Sequence, residues 1–223
     1  MSERIAVFGA SRGLGAAFVR ECAAAHPGTE WLLLARKEKH LEALKAQVPG
    51  AALHVADFSK PEEQDRALVV LSEFAPTRVL YFAGGGPFRP FHESGWKDHR
   101  WALEVTFVFP ARLLHWLLFQ ARVQAPATQA VFIGSAVAED AADPNAASYA
   151  AAKHALRGLI RAVRAERHPV DVRLYSPGYL DTELLPANAW PRQQGLALSP
   201  KQVAQDLVTW IFSNDDIGFR IYK

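Results

Sequence analysis

The chain has 223 residues, half of them hydrophobic, with 25 Lys and Arg against 23 Asp and Glu and a formal net charge of +2. That length supports one substantial core in a single domain, and balanced, scattered charge excludes a nucleic-acid groove or a polybasic membrane patch. Cys22 is the one cysteine, which excludes an internal disulfide; with neither a signal peptide nor an apolar run long enough to span a bilayer, a soluble cytoplasmic protein is expected.

In chain order, short apolar runs predict strands at 5–8, 31–35, 51–56, 79–83, 130–134, 171–175 and 218–222. Longer stretches predict helices at 13–25, 38–47, 61–74, 96–123, 148–166 and 200–212, with Pro61 and Pro200 suited to first-turn positions. Strands that are apolar throughout, separated by helices, imply an α/β fold: a doubly wound parallel sheet of about seven strands, covered on both faces, in one domain spanning 1–223. Residues 184–198, with Pro186, Trp190, Pro191 and Gly195, lack clear periodicity; residues 179–198 are expected to form a substrate lid.

The N-terminal run RIAVFGASRGLGAAF reads as strand, tight turn and helix. Gly9 permits the sharp turn, Gly13 lets a pyrophosphate approach the backbone, and Gly15 lets the helix pack closely on the sheet. Ser11, Arg12 and Leu14 complete the turn, and the helix N-terminus receives the anion. The first gap is one residue longer than in G-x-G-x-x-G, so a strict search for that pattern passes over it.

In SYAAAKHAL, a helix sets Tyr149 and Lys153 on one face, four residues apart. A phenol with an ordinary pKa near ~10 is a poor acid-base catalyst at neutral pH unless positive charge stabilises its phenolate, and Lys153 can supply that charge.

Together these residues resemble the short-chain dehydrogenase/reductase family in its compact single-domain form, over nearly the whole length. The correspondence runs through Gly9, Gly13 and Gly15; an adenine-binding acid, Asp57, followed by Phe58; Ala83 and Gly84 after the fourth strand; a catalytic serine, Ser135; the pair Tyr149 and Lys153; and the turn Pro177, Gly178 and Thr182. The resemblance implies that Ser135 hydrogen-bonds a substrate carbonyl, Tyr149 protonates it as hydride arrives at carbon, and Lys153 binds the nicotinamide ribose while lowering the pKa of Tyr149. Moving a phenol from ~10 towards 7 requires roughly 4 kcal/mol of differential stabilisation.

The end of the second strand reads LLLARK, where dinucleotide folds that prefer the unphosphorylated cofactor place an acid. Arg36 can clamp a 2′-phosphate and Arg12 can approach it, so NADP(H) is expected over NAD(H). Several positions depart from the family pattern: Thr106 stands where an asparagine holds a relay water, Tyr81 and Phe82 stand for two asparagines, and Phe8 stands for a threonine. Thr106 is retained as a catalytic candidate because its hydroxyl can hold a water. Glu104 is expected as a helix-surface charge, His154 as a surface residue, and no histidine spacing suggests a metal.

The expected substrate is a small carbonyl compound or alcohol, apolar or aromatic, under a roof of Tyr179, Leu180, Leu184, Leu185 and Trp190 and between walls of Phe88, Val137, Ala138 and Pro144. Glu139, Asp140 and Asp143 either disfavour anionic substrates at the entrance or form a solvated loop. The central helix carries apolar groups around much of its circumference, and with the family's four-helix interface this implies a homodimer or homotetramer. Two other readings stand beside the reductase: a catalytically weak NADP(H)-binding regulatory or scaffold protein, and an isomerase or epimerase, for which the chain is short of the usual sugar-binding domain.

Overall fold

A computed structural model describes residues 3–123, 129–139, 143–213 and 217–223. Seven strands pair in the order β3-β2-β1-β4-β5-β6-β7, every neighbour parallel. They are β1 (Arg4–Phe8), β2 (Glu30–Ala35), β3 (Ala52–Val55), β4 (Arg78–Tyr81), β5 (Gln129–Ile133), β6 (Asp171–Pro177) and β7 (Phe219–Tyr222). The expected strands are all present within a residue or two of their predicted ends.

Alternation along β1 explains why these strands are apolar throughout. Ile5 and Val7 join one core with Phe18, Val19, Leu207 and Trp210; Ala6 and Phe8 join the other with Leu71, Phe109, Leu113 and Ile160. The first core lies under α1 (Gly13–Ala25), α2 (Glu38–Lys45) and, after it in the chain, the helix Pro200–Ile211; the second lies under α3 (Pro61–Phe74) and the helices of the chain's centre. Cys22 is fully buried, and burial pushes its thiol up to about 12, consistent with a packing residue.

The predicted central helix is one continuous rod with a defect. It comprises α4 (Trp96–Leu103), a π-helical turn (Glu104–Val108) and α5 (Phe109–Val123). By length and composition the described part, Trp96–Arg122, could cross a bilayer, its best 18-residue window reaching a mean hydropathy of 1.4, contrary to the sequence expectation. Packing on the sheet accounts for this apolarity: Phe109, Leu113, Leu114 and Leu117 are buried in the second core. Beyond it come α6 (Ala147–Arg164), the short α7 (Trp190–Gln193) and α8 (Pro200–Ile211). The segment expected as a lid is pinned at its base by a parallel bridge between Leu180 and Leu198.

Two glycines set how closely the first turn approaches its neighbours. Gly9 has φ +86°, and a Cβ there would lie 2.5 Å from the backbone nitrogen of Ala83; a Cβ on Gly15 would lie 2.3 Å from the carbonyl oxygen of Gly9. Strand, turn and helix are therefore in backbone contact. Gly50 has a similar φ of +84° but nothing within 4 Å of an added Cβ. Urea denaturation is expected to show Gly50→Ala lowering the unfolding free energy by about 1 kcal/mol, the left-handed cost alone, and Gly9→Ala by about 2–4 kcal/mol.

Candidate functional site

Strand order reverses between β1 and β4, opening a crevice at their carboxyl ends where a doubly wound fold takes its ligand. One cleft there is lined by Gly9, Ser11, Arg12, Gly13, Leu14 and Gly15 from the first turn and by Arg36, Asp57 and Phe58 from the ends of β2 and β3. Ala83, Gly84, Ser135, Tyr149, Lys153, Pro177, Gly178 and Thr182 complete it. Of the catalytic and cofactor-binding residues read from the sequence, Thr106 alone does not line the cleft.

The glycine turn leads into a helix whose first turn is open to an anion. Arg12 makes no side-chain cap and the first turn of α1 carries no acid, so its N–H groups and dipole are not neutralised locally. Glycines at 84, 85 and 86 line the cleft nearby without side chains. This arrangement fits a dinucleotide pyrophosphate. Asp57 is fixed by its own turn, its Oδ1 accepting from the backbone nitrogen of Ser59 at 3.0 Å and from its hydroxyl at 2.8 Å.

Ser135 caps the short 3-10 turn after β5, its Oγ accepting from the nitrogen of Val137 at 3.4 Å. Tyr149 and Lys153 fall on one face of α6, with Nζ 5.4 Å from the centre of the phenol ring. Lys153 is 3% exposed and donates to the carbonyl of Ile133 at 2.6 Å. Burial lowers this ammonium to about 7. Burial also pushes the Tyr149 phenol up to about 12, with the Ser135 hydroxyl acting in the opposite direction.

Lys153 by itself does not offset the burial of Tyr149; the expected lowering calls on an oxidised nicotinamide beside it as well. Desolvation dominates both groups, and the ammonium is turned to a backbone carbonyl.

Thr106 is fully buried in the π-helical turn and holds the loop after β4 from both sides: its hydroxyl donates to the carbonyl of Gly85 at 3.2 Å and accepts from that residue's nitrogen at 3.1 Å. This makes Thr106 a clamp on the floor of the cleft. Glu104 is half-buried rather than a free surface charge, accepting from Gln64 Nε2 at 2.8 Å.

On the substrate side, Phe88, Val137, Tyr179, Leu180, Leu184 and Leu185 line the cleft, while Ala138, Pro144 and Trp190 do not. Trp190 instead packs edge-on to Tyr179, ring centres 5.3 Å apart. The acids are not a solvated loop. Asp143 is 4% exposed and accepts from the Tyr179 hydroxyl at 3.1 Å; the Glu139 side chain is 5% exposed and lies 2.7 Å from Arg157 Nε. Asp140 lies outside the described residues.

Three contributors escaped sequence reasoning. Trp101 lines the cleft from α4, Glu183 pairs with Arg12 at 2.8 Å across its mouth, and His99 is buried with its ring nitrogens 2.6 Å from the Ser148 hydroxyl and 3.0 Å from the Phe91 carbonyl. His99 thus holds the first turn of α6, one residue from Tyr149. Nothing local in the sequence marks these partners, which lie 49 positions apart for His99 and Ser148 and 171 for Arg12 and Glu183. Among the described residues no group of three or more His, Cys, Asp or Glu is placed to hold a metal.

Comparison with known proteins follows the same lines. Residues 3–192 match the family model for short chain dehydrogenases. An uncharacterized oxidoreductase of Mycobacterium tuberculosis is 27% identical over 198 residues, covering 84% of this chain and 77% of that protein. Among solved structures, an alcohol dehydrogenase from the archaeon Thermococcus sibiricus complexed with 5-hydroxy-NADP superposes with a TM-score of 0.85 at 23% identity, covering 99% of this chain and 96% of that one. A 4-hydroxyisoleucine dehydrogenase complexed with NADH gives a TM-score of 0.84 at 19% identity, covering 100% and 97%. At these identities the superpositions speak for the fold.

The lowered pKa of Lys153 has a definite sign. The unfolded chain holds this proton up to about pH 10.5 and the folded chain releases it near 7, so burial of the charge destabilises the fold below pH 7 and the penalty fades as pH rises from 7 towards 10.5. Urea denaturation is expected to show Lys153→Met more stable than wild type at pH 6, by about 1–4 kcal/mol, with the gap narrowing by pH 9.

Proposed function

The chain belongs to the short-chain dehydrogenase family, and we propose that it reduces a ketone or aldehyde with NADPH, or oxidises the corresponding alcohol, with Tyr149 as proton donor or acceptor. The observation that carries this reading is the convergence of Ser135, Tyr149 and Lys153 on the cleft that also holds the glycine turn and Arg36. When bound, the cofactor supplies the hydride for reduction or takes it up in oxidation.

The chain's own groups divide the remaining work. The Ser135 hydroxyl donates to the substrate oxygen and orients it. The Tyr149 phenol delivers its proton to that oxygen, and the Lys153 ammonium stabilises the phenolate left behind. Burial raises the Tyr149 phenol, so proton delivery depends on the Ser135 hydroxyl and the Lys153 ammonium stabilising the phenolate.

Preference for NADPH is supported by the end of β2, where Arg36 lines the cleft and no acid stands to repel a 2′-phosphate. The apolar roof of Leu180, Leu184 and Leu185 supports a bulky apolar or aromatic substrate. Trp96, Val108 and Phe119, 65%, 43% and 58% exposed along the central helix, support a homodimer or a tetramer built from it.

A second reading, a cofactor-binding protein with weak catalysis, is favoured by one observation: the Thr106 hydroxyl both donates to and accepts from Gly85, which leaves a single lone pair for a relay water. A panel of aliphatic and aromatic carbonyl compounds, followed by NADPH absorbance, separates the two. Turnover of at least one compound is expected, and none alongside tight NADPH binding would favour the second reading. Tyr149→Phe is expected to lower kcat by about 10²- to 10⁴-fold while leaving the NADPH dissociation constant within about twofold. Calorimetric titration is expected to show NADPH bound more tightly than NADH, with Arg36→Ala narrowing the difference.

A further inference from the structure

Arg36 follows the last residue of β2 and is exposed at the mouth of the cleft. Among the described residues it has neither a carboxylate partner nor a hydrogen bond; its guanidinium carbon lies 5.0 Å from the ring centre of Trp101. The other arginine near this mouth is differently engaged, because Arg12 is ion-paired with Glu183 at 2.8 Å. Arg36 is thus an arginine left with its hydrogen-bonding edge available, beside Lys37, which also lines the cleft.

Trp101 is itself held in place. Its six-membered ring packs against Gly85, where an added Cβ would come within 3.3 Å of ring carbon Cη2 and within 3.3 Å of Leu184. The indole is therefore wedged between α4, the loop after β4 and the lid. A guanidinium held over a fixed ring is restricted on that side, while its N–H donors radiate from the edge. Those donors have the geometry that a phosphate dianion takes up in paired hydrogen bonds.

We propose that Trp101 is a positioning residue for cofactor discrimination: it holds the face of Arg36 so that the guanidinium edge meets the 2′-phosphate of NADPH. The inference rests on the NADPH reading above and deepens it, since it assigns the preference to a pair of side chains rather than to Arg36 alone. Lysine at position 36 could not use this platform in the same way, because a compact ammonium lacks a planar face to stack and a fork of edge donors.

Dissociation constants for NADPH and NADH, measured by isothermal titration calorimetry, test it without reliance on turnover. The proteins are wild type, Trp101→Phe, Trp101→Leu, Arg36→Ala and the double variant Arg36→Ala/Trp101→Leu. Leucine keeps apolar bulk against Gly85 but has no ring face. The expected result is NADPH binding weakened about fivefold in Trp101→Leu, with NADH within about twofold of wild type and most of the preference retained in Trp101→Phe. In the Arg36→Ala background, Trp101→Leu is expected to leave the NADPH to NADH ratio unchanged.

Equal loss for both cofactors would overturn the proposal, because it would place Trp101 on the adenosine common to both or in packing alone. An unchanged NADPH constant in Trp101→Leu, or the same NADPH-selective loss without Arg36, would also overturn it. A wild type that binds NADH more tightly would sink the cofactor reading itself, a result separate from any effect of Trp101.

Discussion

The buried ammonium of Lys153 is the constraint around which this site is organised. An amine at 3% exposure loses most of its hydration, and the hydrogen bond to the Ile133 carbonyl at the end of β5 returns only part of it. Such a group persists where the fold holds it from outside. Leu156, Ile160 and Val163 continue the same helix into the second core, so α6 is anchored on the sheet beyond the site. The ammonium is carried inwards by hydrophobic burial elsewhere on its own helix.

The departures from the family pattern belong together physically. Phe8 and Tyr81, which replace polar residues of the pattern, meet Phe58 and Phe109 in one cluster, with ring centres 5.2–6.1 Å apart. Aromatic packing holds these positions together under the cleft. The Tyr81 hydroxyl remains useful, donating to the Val105 carbonyl at 2.6 Å inside the π-helical turn, where the regular ladder of the helix is interrupted. Thr106, in the same turn, fastens the loop bearing Gly85. A defect in the central helix thus shapes the floor of the cleft, and the aromatic cluster supports that defect.

Residues 182–184 are tied to the cleft at several points. Thr182 lies against Gly13, Glu183 pairs with Arg12, and Leu184 lies against Gly85 beside Trp101. The exposed ion pair contributes little by itself, on the order of 0–1 kcal/mol, while the apolar contacts exclude water. At the cleft wall, Tyr179 is held by Asp143 and by the edge of Trp190, and Asp143 also lines the cleft.

By itself the sequence determined the alternation of strands and helices, the parallel sheet and the glycine turn, because unbroken apolar runs, helical periodicity and glycine spacing are local properties of the chain. It was the family resemblance, rather than any local pattern alone, that pointed to Ser135, Tyr149 and Lys153, which the fold brings to one cleft. Only the tertiary structure showed that burial raises Tyr149 and lowers Lys153, an effect that four-residue proximity on a helix does not contain. It alone decided that Thr106 clamps a loop, that Asp143 and Glu139 are buried, and that Trp101 meets Arg36. Those outcomes depend on desolvation and on contacts between residues far apart in the chain, which no window of sequence contains.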